Sequence, residues 1–355
     1  MRTIDAARNA AATTIATLLG FWSTLQISAS AHLGIAPVVL SVALGVMLGR
    51  AQRDADVVQR GIGAIVTPVA ASAAAGVVLL AASFPAIGAA VFVIVAAGAI
   101  WLRRFGRRLA AAGTLATLPF VAMLIAPVPA VGWAALVAAI VYGWTSAVAW
   151  VVDPDRFAHR AGPAPPRSPW VSARMAVQMA VALAAVFTVG FLAFGPHSVW
   201  PVLTAFIVCS GHRGRVDALV KGASRLAGAA IGTLLAAGLA LLFSPGDTRA
   251  VVAIFALLAV ATWLWSISYV YWAAGATAAL ALLYGFIGEG GAELLLVRLA
   301  GILAGGLIAI AACWLVLPIR HRRNVSSESS GSDHHGVWCT GPTEPVHGEE
   351  NERSR

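Results

Sequence analysis

Basic residues recur along this chain in clusters, and long apolar runs separate one cluster from the next. Arg2 and Arg8 open the chain, Arg50, Arg53 and Arg60 form a second group, and Arg103, Arg104, Arg107 and Arg108 a third. Arg156, Arg160, Arg167 and Arg174 follow, then Arg213, Arg215, Lys221 and Arg225, and last Arg320, Arg322 and Arg323. The intervening connections, at 30–32, 83–85, 127–131 and 195–198, carry almost no base, and only Arg249 and Arg298 fall on their side. Apolar runs of bilayer-spanning length with cations at every second connection belong to a polytopic helical membrane protein, because cationic loops are retained on the cytoplasmic side. The pattern predicts a multi-pass protein of the cell inner membrane with both termini in the cytoplasm.

Composition closes off the soluble alternative. Hydrophobic residues make up 59% of the 355 residues and charged residues 11%. A soluble domain must wet its own surface, whereas lipid solvates the outer faces of membrane helices. The net charge of +9 does not predict a nucleic-acid partner, because the cations lie between apolar runs where headgroups meet them. The bilayer is the expected partner. Cys209 and Cys313 lie in apolar runs and Cys339 in a polar tail, which predicts free thiols rather than a disulfide framework.

Runs bounded by Pro, Gly and charge predict helices over 8–31, 33–49, 57–82, 85–102, 109–126 and 130–152. A second set is predicted over 171–194, 197–210, 222–243, 250–265, 267–287 and 293–317. The fold class is therefore an all-α integral membrane protein of about twelve transmembrane helices. It divides into two six-helix halves, 1–152 and 171–320, a Pro-rich cytoplasmic linker, 153–170, and a disordered cytoplasmic tail, 321–355. The first helix could be mistaken for a secretory signal, but Asp5 in its basic region and its long apolar stretch predict a retained helix.

The halves resemble each other at an offset of roughly 160 to 166 residues, as in duplicated transporters. Arg8 matches Arg174, His32 matches His197, and Pro37 matches Pro201. Asp56-Val-Val-Gln-Arg60-Gly61 matches Asp217-Ala-Leu-Val-Lys221-Gly222. An even number of helices per half makes the repeat parallel, about an axis near the membrane normal. The second helix of each half is short and carries proline; the one at 197–210 would span roughly 21 Å against a hydrocarbon core of about 30 Å. Such segments point either to a transport pathway or to a kinked helix in a thinned bilayer.

Three motifs carry a family resemblance: His197-Ser-Val-Trp200-Pro-Val-Leu-Thr204, Arg225-Leu-Ala-Gly228-Ala-Ala-Ile-Gly232-Thr233, and Arg298-Leu-Ala-Gly301-Ile-Leu-Ala-Gly305. With them, the stretch from Arg174 to Pro318 resembles the fusaric acid resistance (FUSC), or aromatic acid exporter, family, whose broad superfamily includes plant malate channels. The resemblance implies a secondary transporter or exporter of small organic, chiefly aromatic, acid anions; a passive organic-anion channel is the alternative within that class. A non-transporting membrane scaffold or accessory subunit is the alternative of another class. A carrier has polar groups converging inside the bundle, whereas a scaffold has a tightly packed centre with Gly and Ala facing lipid.

The candidate pathway residues are Arg298, His197, Trp200, Thr204 and Arg225. Arg298 stands inside its helix on the side that avoids positive charge, where a guanidinium needs a partner or water. That partner is either a passing anion or a carboxylate, with Glu289 and Glu293 in range. Arg225, at a cytoplasmic helix end, is expected to snorkel to headgroups. His197, His32 and Trp200 are placed at the outer interface, Trp200 as a belt residue like Trp101, Trp133, Trp150, Trp170 and Trp314. His197 is open to a proton-coupling role or to a cap or headgroup contact. The two Gly-x-x-x-Gly motifs let helices approach closely.

No carboxylate falls near a bilayer midplane, and no His-Glu-x-x-His, Asp-rich diphosphate motif or P-loop occurs. No enzyme activity and no cofactor is therefore expected. Nor is a metal site: His334, His335, Cys339 and His347 in the tail fit no compact zinc spacing. Oligomeric state stays open.

Overall fold

In a bilayer each backbone amide has to find its partner within its own segment, so a chain this apolar is driven into helices. The computed structural model describes residues 2–53, 55–154, 168–210, 215–288 and 292–316. These lie within the unit Met1–Arg320. Most of the predicted linker and the whole of the predicted tail, with its His and Cys residues, lie outside the described residues.

The helices are α1 (Arg2–Ser30), α2 (Ala36–Ala51), α3 (Val57–Ser83), α4 (Pro85–Leu102), α5 (Arg107–Ile125) and α6 (Val131–Val152). They continue with α7 (Pro169–Val189), α8 (Val199–Cys209), α9 (Arg215–Ala240), α10 (Thr248–Leu264), α11 (Tyr269–Phe286) and α12 (Ala292–Leu315). Among the described residues nine helices are long and apolar enough to cross a membrane, while α2, α8 and α10 are shorter. The chain is a multi-pass α-helical protein. α1 starts ahead of the expected Arg8, with Asp5 in its first turn, where a carboxylate complements the exposed amides.

The short helix is shorter than expected. α7 runs on through a π-helical turn, Gly190–Phe194, and a 3-10 turn, Gly195–His197, so α8 begins only at Val199 and has 11 residues. Pro201 does not interrupt α8. It stands in the first turn, as Pro37 does in α2, where the amide it lacks would have no helical partner anyway.

In the first half α1 packs on α2 and α6, and α3 on α5 and α6. In the second half α7 packs on α8 and α12, and α9 on α11 and α12. The halves meet where α4 packs on α7 and where α1 packs on α10. The core between them holds Leu40, Leu44 and Leu48 of α2, Met179 and Leu183 of α7, and Val202 and Val208 of α8. Large apolar side chains such as Leu192, Leu234 and Leu241 lie exposed on the outside, where lipid replaces a packed neighbour.

Arg60 is not the surface cation its cluster suggests. It is buried, donating to the carbonyl oxygens of Gln52 (3.1 Å) and Ala55 (3.2 Å) and so closing the α2–α3 turn. The Tyr142 hydroxyl donates to the Arg60 carbonyl at 2.7 Å, and Gln52 donates to Thr145 at 3.0 Å. Asp56 caps α3, accepting from the Gln59 amide.

Candidate functional site

Two arginines share one local grammar. Arg225, Gly228 and Gly232 lie at i, i+3 and i+7, and so do Arg298, Gly301 and Gly305; each set occupies one helix face. The glycines decide what that face meets. A Cβ on Gly228 would stand 2.7 Å from the Val270 carbonyl oxygen, and one on Gly232 would meet the Ala274 carbonyl, so α9 lies directly on α11. A Cβ on Gly301 would stand 2.9 Å from Pro201 Cδ and 3.0 Å from Trp200 Cβ, and one on Gly305 would strike the Pro201 carbonyl. α12 therefore lies on the first turn of α8, and both arginines are drawn into the bundle.

This corrects two expectations. Arg225 does not snorkel: it is buried, and Nη1 donates to Thr277 Oγ1 at 3.3 Å. Trp200 is not a belt residue. At 2% exposure it faces Arg298, whose guanidinium carbon lies 4.3 Å from the ring centroid. The Trp200 ring in turn meets Tyr284 of α11 edge-on, centroids 5.7 Å apart.

Arg298 is 2% exposed, and its Nε and Nη2 have no hydrogen-bond partner among the described residues. Glu293 is exposed and forms no ion pair with Arg298; Glu289 lies outside the described residues. Removing a cation from water costs several kcal/mol even after relaxation. A desolvated cation–π contact recovers about 2 kcal/mol. The remainder is unbalanced, and the guanidinium cannot shed its charge at physiological pH. An anion bonding the guanidinium would supply part of the missing interaction.

A cavity adjoins the guanidinium. Arg298 and Trp200 line a cavity of about 410 Å³, bounded further by Phe243, Tyr284, Phe286 and Leu294. Among the described residues the wall is largely apolar and aromatic with Arg298 as its one cation, which suits a planar acid whose ring leaves water while its carboxylate meets the guanidinium.

The other expected residues are placed differently. Thr204 lies one turn beyond Trp200, fully buried, its Oγ1 without a partner among the described residues and its methyl toward Gly306. It does not line the cavity, and neither do Arg225 or His197, the latter being half-buried in the turn before α8. Tyr284, Phe243 and Phe286 were not singled out in the sequence, because an aromatic residue in an apolar helix carries no sign of whether lipid or a cavity faces it.

The three motifs, the close helix contacts and the cavity all fall within one stretch of chain. Residues 179–312 match the family model described as fusaric acid resistance protein-like. The fusaric acid resistance-like stretch runs from α7 into α12 and contains every described residue lining the Arg298 cavity. It bears out the resemblance drawn from the motifs. No curated protein matches the chain, and no solved structure matches it.

Proposed function

We propose that the protein is a secondary transporter or exporter of small organic acid anions, aromatic ones foremost, in the inner membrane. The observation that carries this is Arg298: a buried guanidinium stacked on Trp200, two of its nitrogens without a partner among the described residues, at the wall of an aromatic cavity. A packed scaffold has no use for an uncompensated buried cation, which costs stability wherever no ligand visits it.

The arrangement of helices supports a duplicated carrier. The first helix of each half packs on the fourth helix of the other, α1 on α10 and α7 on α4. That reciprocity is what a two-fold axis near the membrane normal produces from parallel repeats. In this scheme all twelve helices cross the membrane, and the Arg-rich ends face the cytoplasm with both termini.

Flux of labelled benzoate and labelled succinate into proteoliposomes, with and without a pH gradient, tests the proposal. Benzoate is expected to move faster than succinate, and Arg298→Gln is expected to slow it in a protein that stays folded. Full benzoate flux in a folded Arg298→Gln protein would overturn the assignment. Dependence on the gradient separates a coupled carrier from a passive channel.

A further inference from the structure

Another guanidinium with an unpartnered nitrogen lies at the end of α2. Arg50 lies over the Trp265 ring with Trp272 beyond it, 5.6 Å to the centroid. Its Nη1 is buried without a hydrogen-bond partner among the described residues. A pocket of about 160 Å³ opens there, lined by Arg50, Arg53, Arg60, Asn9, Thr13 and Trp265 among others. The aromatic face satisfies the cation from one side and leaves the in-plane N–H groups for an acceptor. Arg60 is engaged with the α2–α3 turn, and Asp153 at the pocket accepts from Arg8 at 3.0 Å. Among the described residues lining the pocket, Arg50 is thus a donor without a hydrogen-bond partner, and the exposed Arg53 adds a second positive charge beside it.

This pocket and the Arg298 cavity lie at opposite ends of α10. Ala250 belongs to the cavity wall and Thr262 to the pocket wall, roughly 18 Å apart along a helix at about 1.5 Å per residue. α11 runs back between them. Trp272 and Tyr269 stand with Trp265 near Arg50, Thr277 receives Arg225, and Tyr284 meets Trp200 beside Arg298.

We propose that the Arg50 pocket is a second anion-binding site, taking a carboxylate or phosphate group on Arg50 with Arg53 beside it, at the far end of α10 from the Arg298 cavity. It rests on the transport proposal for the choice of an aromatic carboxylate as probe. The chemistry is that of a small anion on an Arg fork, whether it arrives free or as a lipid headgroup.

The test is calorimetric titration of benzoate and of inorganic phosphate onto the full chain in phosphatidylcholine nanodiscs, repeated with phosphatidylglycerol present. The wild-type protein is expected to bind benzoate at two sites. Arg50→Gln is expected to weaken one site by about tenfold or more, as loss of a charge-assisted bond does, and to leave the other intact. Arg298→Gln is expected to do the reverse. Arg50→Lys keeps the charge but not the fork and is expected to fall between, and Arg53→Gln, at the exposed rim, to weaken the same site several-fold. Inorganic phosphate is expected to compete at the Arg50 site. If phosphatidylglycerol also displaces benzoate there, the site stands and its occupant is a headgroup; if it does not, the occupant is a free anion. A single benzoate site in wild type, or two wild-type sites in the Arg50→Lys and Arg53→Gln proteins, overturns the proposal. Two benzoate sites without benzoate flux would overturn transport and spare this site; flux with one site indifferent to Arg50 would do the opposite.

Discussion

Arg298 and Trp200 face each other across the contact between α12 and α8, guanidinium over ring at 4.3 Å, because Gly301 and Gly305 leave no side chain between the two helices. Backbone contact at the glycines puts a cation where little solvent reaches it, and the ring compensates only part of the cost. The same contact therefore governs packing and electrostatics together.

Replacing Arg298 by Gln separates the two. Flux of benzoate is expected to fall by about tenfold or more, consistent with loss of a charge-assisted bond. The melting temperature in detergent is expected to hold or rise, since a buried charge without a carboxylate partner is a net cost. Glu293→Gln, at an exposed position outside any ion pair with Arg298, is expected to change neither quantity. A clear loss of stability in Arg298→Gln, rescued by Glu293→Gln, would show instead that the pair is structural.

The glycines on α12 are expected to differ in tolerance. Gly305→Ala sets a methyl against the Pro201 carbonyl, whereas a Cβ on Gly306 finds nothing nearer than Thr204 Cγ2 at 4.0 Å. Overpacking of this kind costs about 1–3 kcal/mol, so Gly305→Ala is expected to unfold earlier in a detergent denaturation series and Gly306→Ala to track wild type. Equal midpoints for the two would argue against the close α8–α12 contact.

The network around Arg60 gives a stability prediction independent of transport. Tyr142→Phe removes one donor to the Arg60 carbonyl and is expected to cost about 1 kcal/mol. Gln52→Leu strips Arg60 and Ser146 of an acceptor and Thr145 of a donor, and is expected to cost more, about 2–3 kcal/mol, because buried groups are left unpaired. Denaturation midpoints compared with wild type give the order.

Topology can be read with an impermeant thiol reagent on intact cells, in a protein whose native cysteines are replaced. Ala55→Cys, between α2 and α3, is expected to stay unlabelled. Pro129→Cys and Gly246→Cys are expected to label from outside. Labelling of all three from one side would dismantle the twelve-crossing arrangement.

Asp247 offers a pH test outside the membrane segments. Side-chain and backbone hydrogen bonds from Arg249 hold its carboxyl below the usual range, and it caps α10. A group with a lowered folded-state value contributes fully above the ordinary carboxylate range, begins to lose that contribution as pH falls below the ordinary value, and has lost it below the lowered value. The stability difference between wild type and Asp247→Asn is therefore expected to stay constant between about pH 5 and 8 and to shrink below about pH 4. A difference that already shrinks above pH 5 would contradict this.

Much of the architecture was legible because it follows from one-dimensional quantities. Length and apolarity of the runs set the helices, and cations at alternate connections set the expected sidedness. Arg298 could be singled out because a lone cation inside an apolar run is expensive wherever it points. The Gly-x-x-x-Gly motifs announced close contacts without naming their partners.

What the tertiary structure decided is which face meets which. A tryptophan beside a proline near a helix end has the same local sequence whether it sits in a lipid belt or under another helix; Trp200 is buried because Gly301 admits it. Arg225 and Arg50 look like ordinary cytoplasmic cations in sequence, yet one is held against α11 and the other against Trp265. A sequence fixes the cost of exposing each side chain to lipid or water, but rotation about the helix axis and the choice of neighbour are settled only by the simultaneous packing of all the helices.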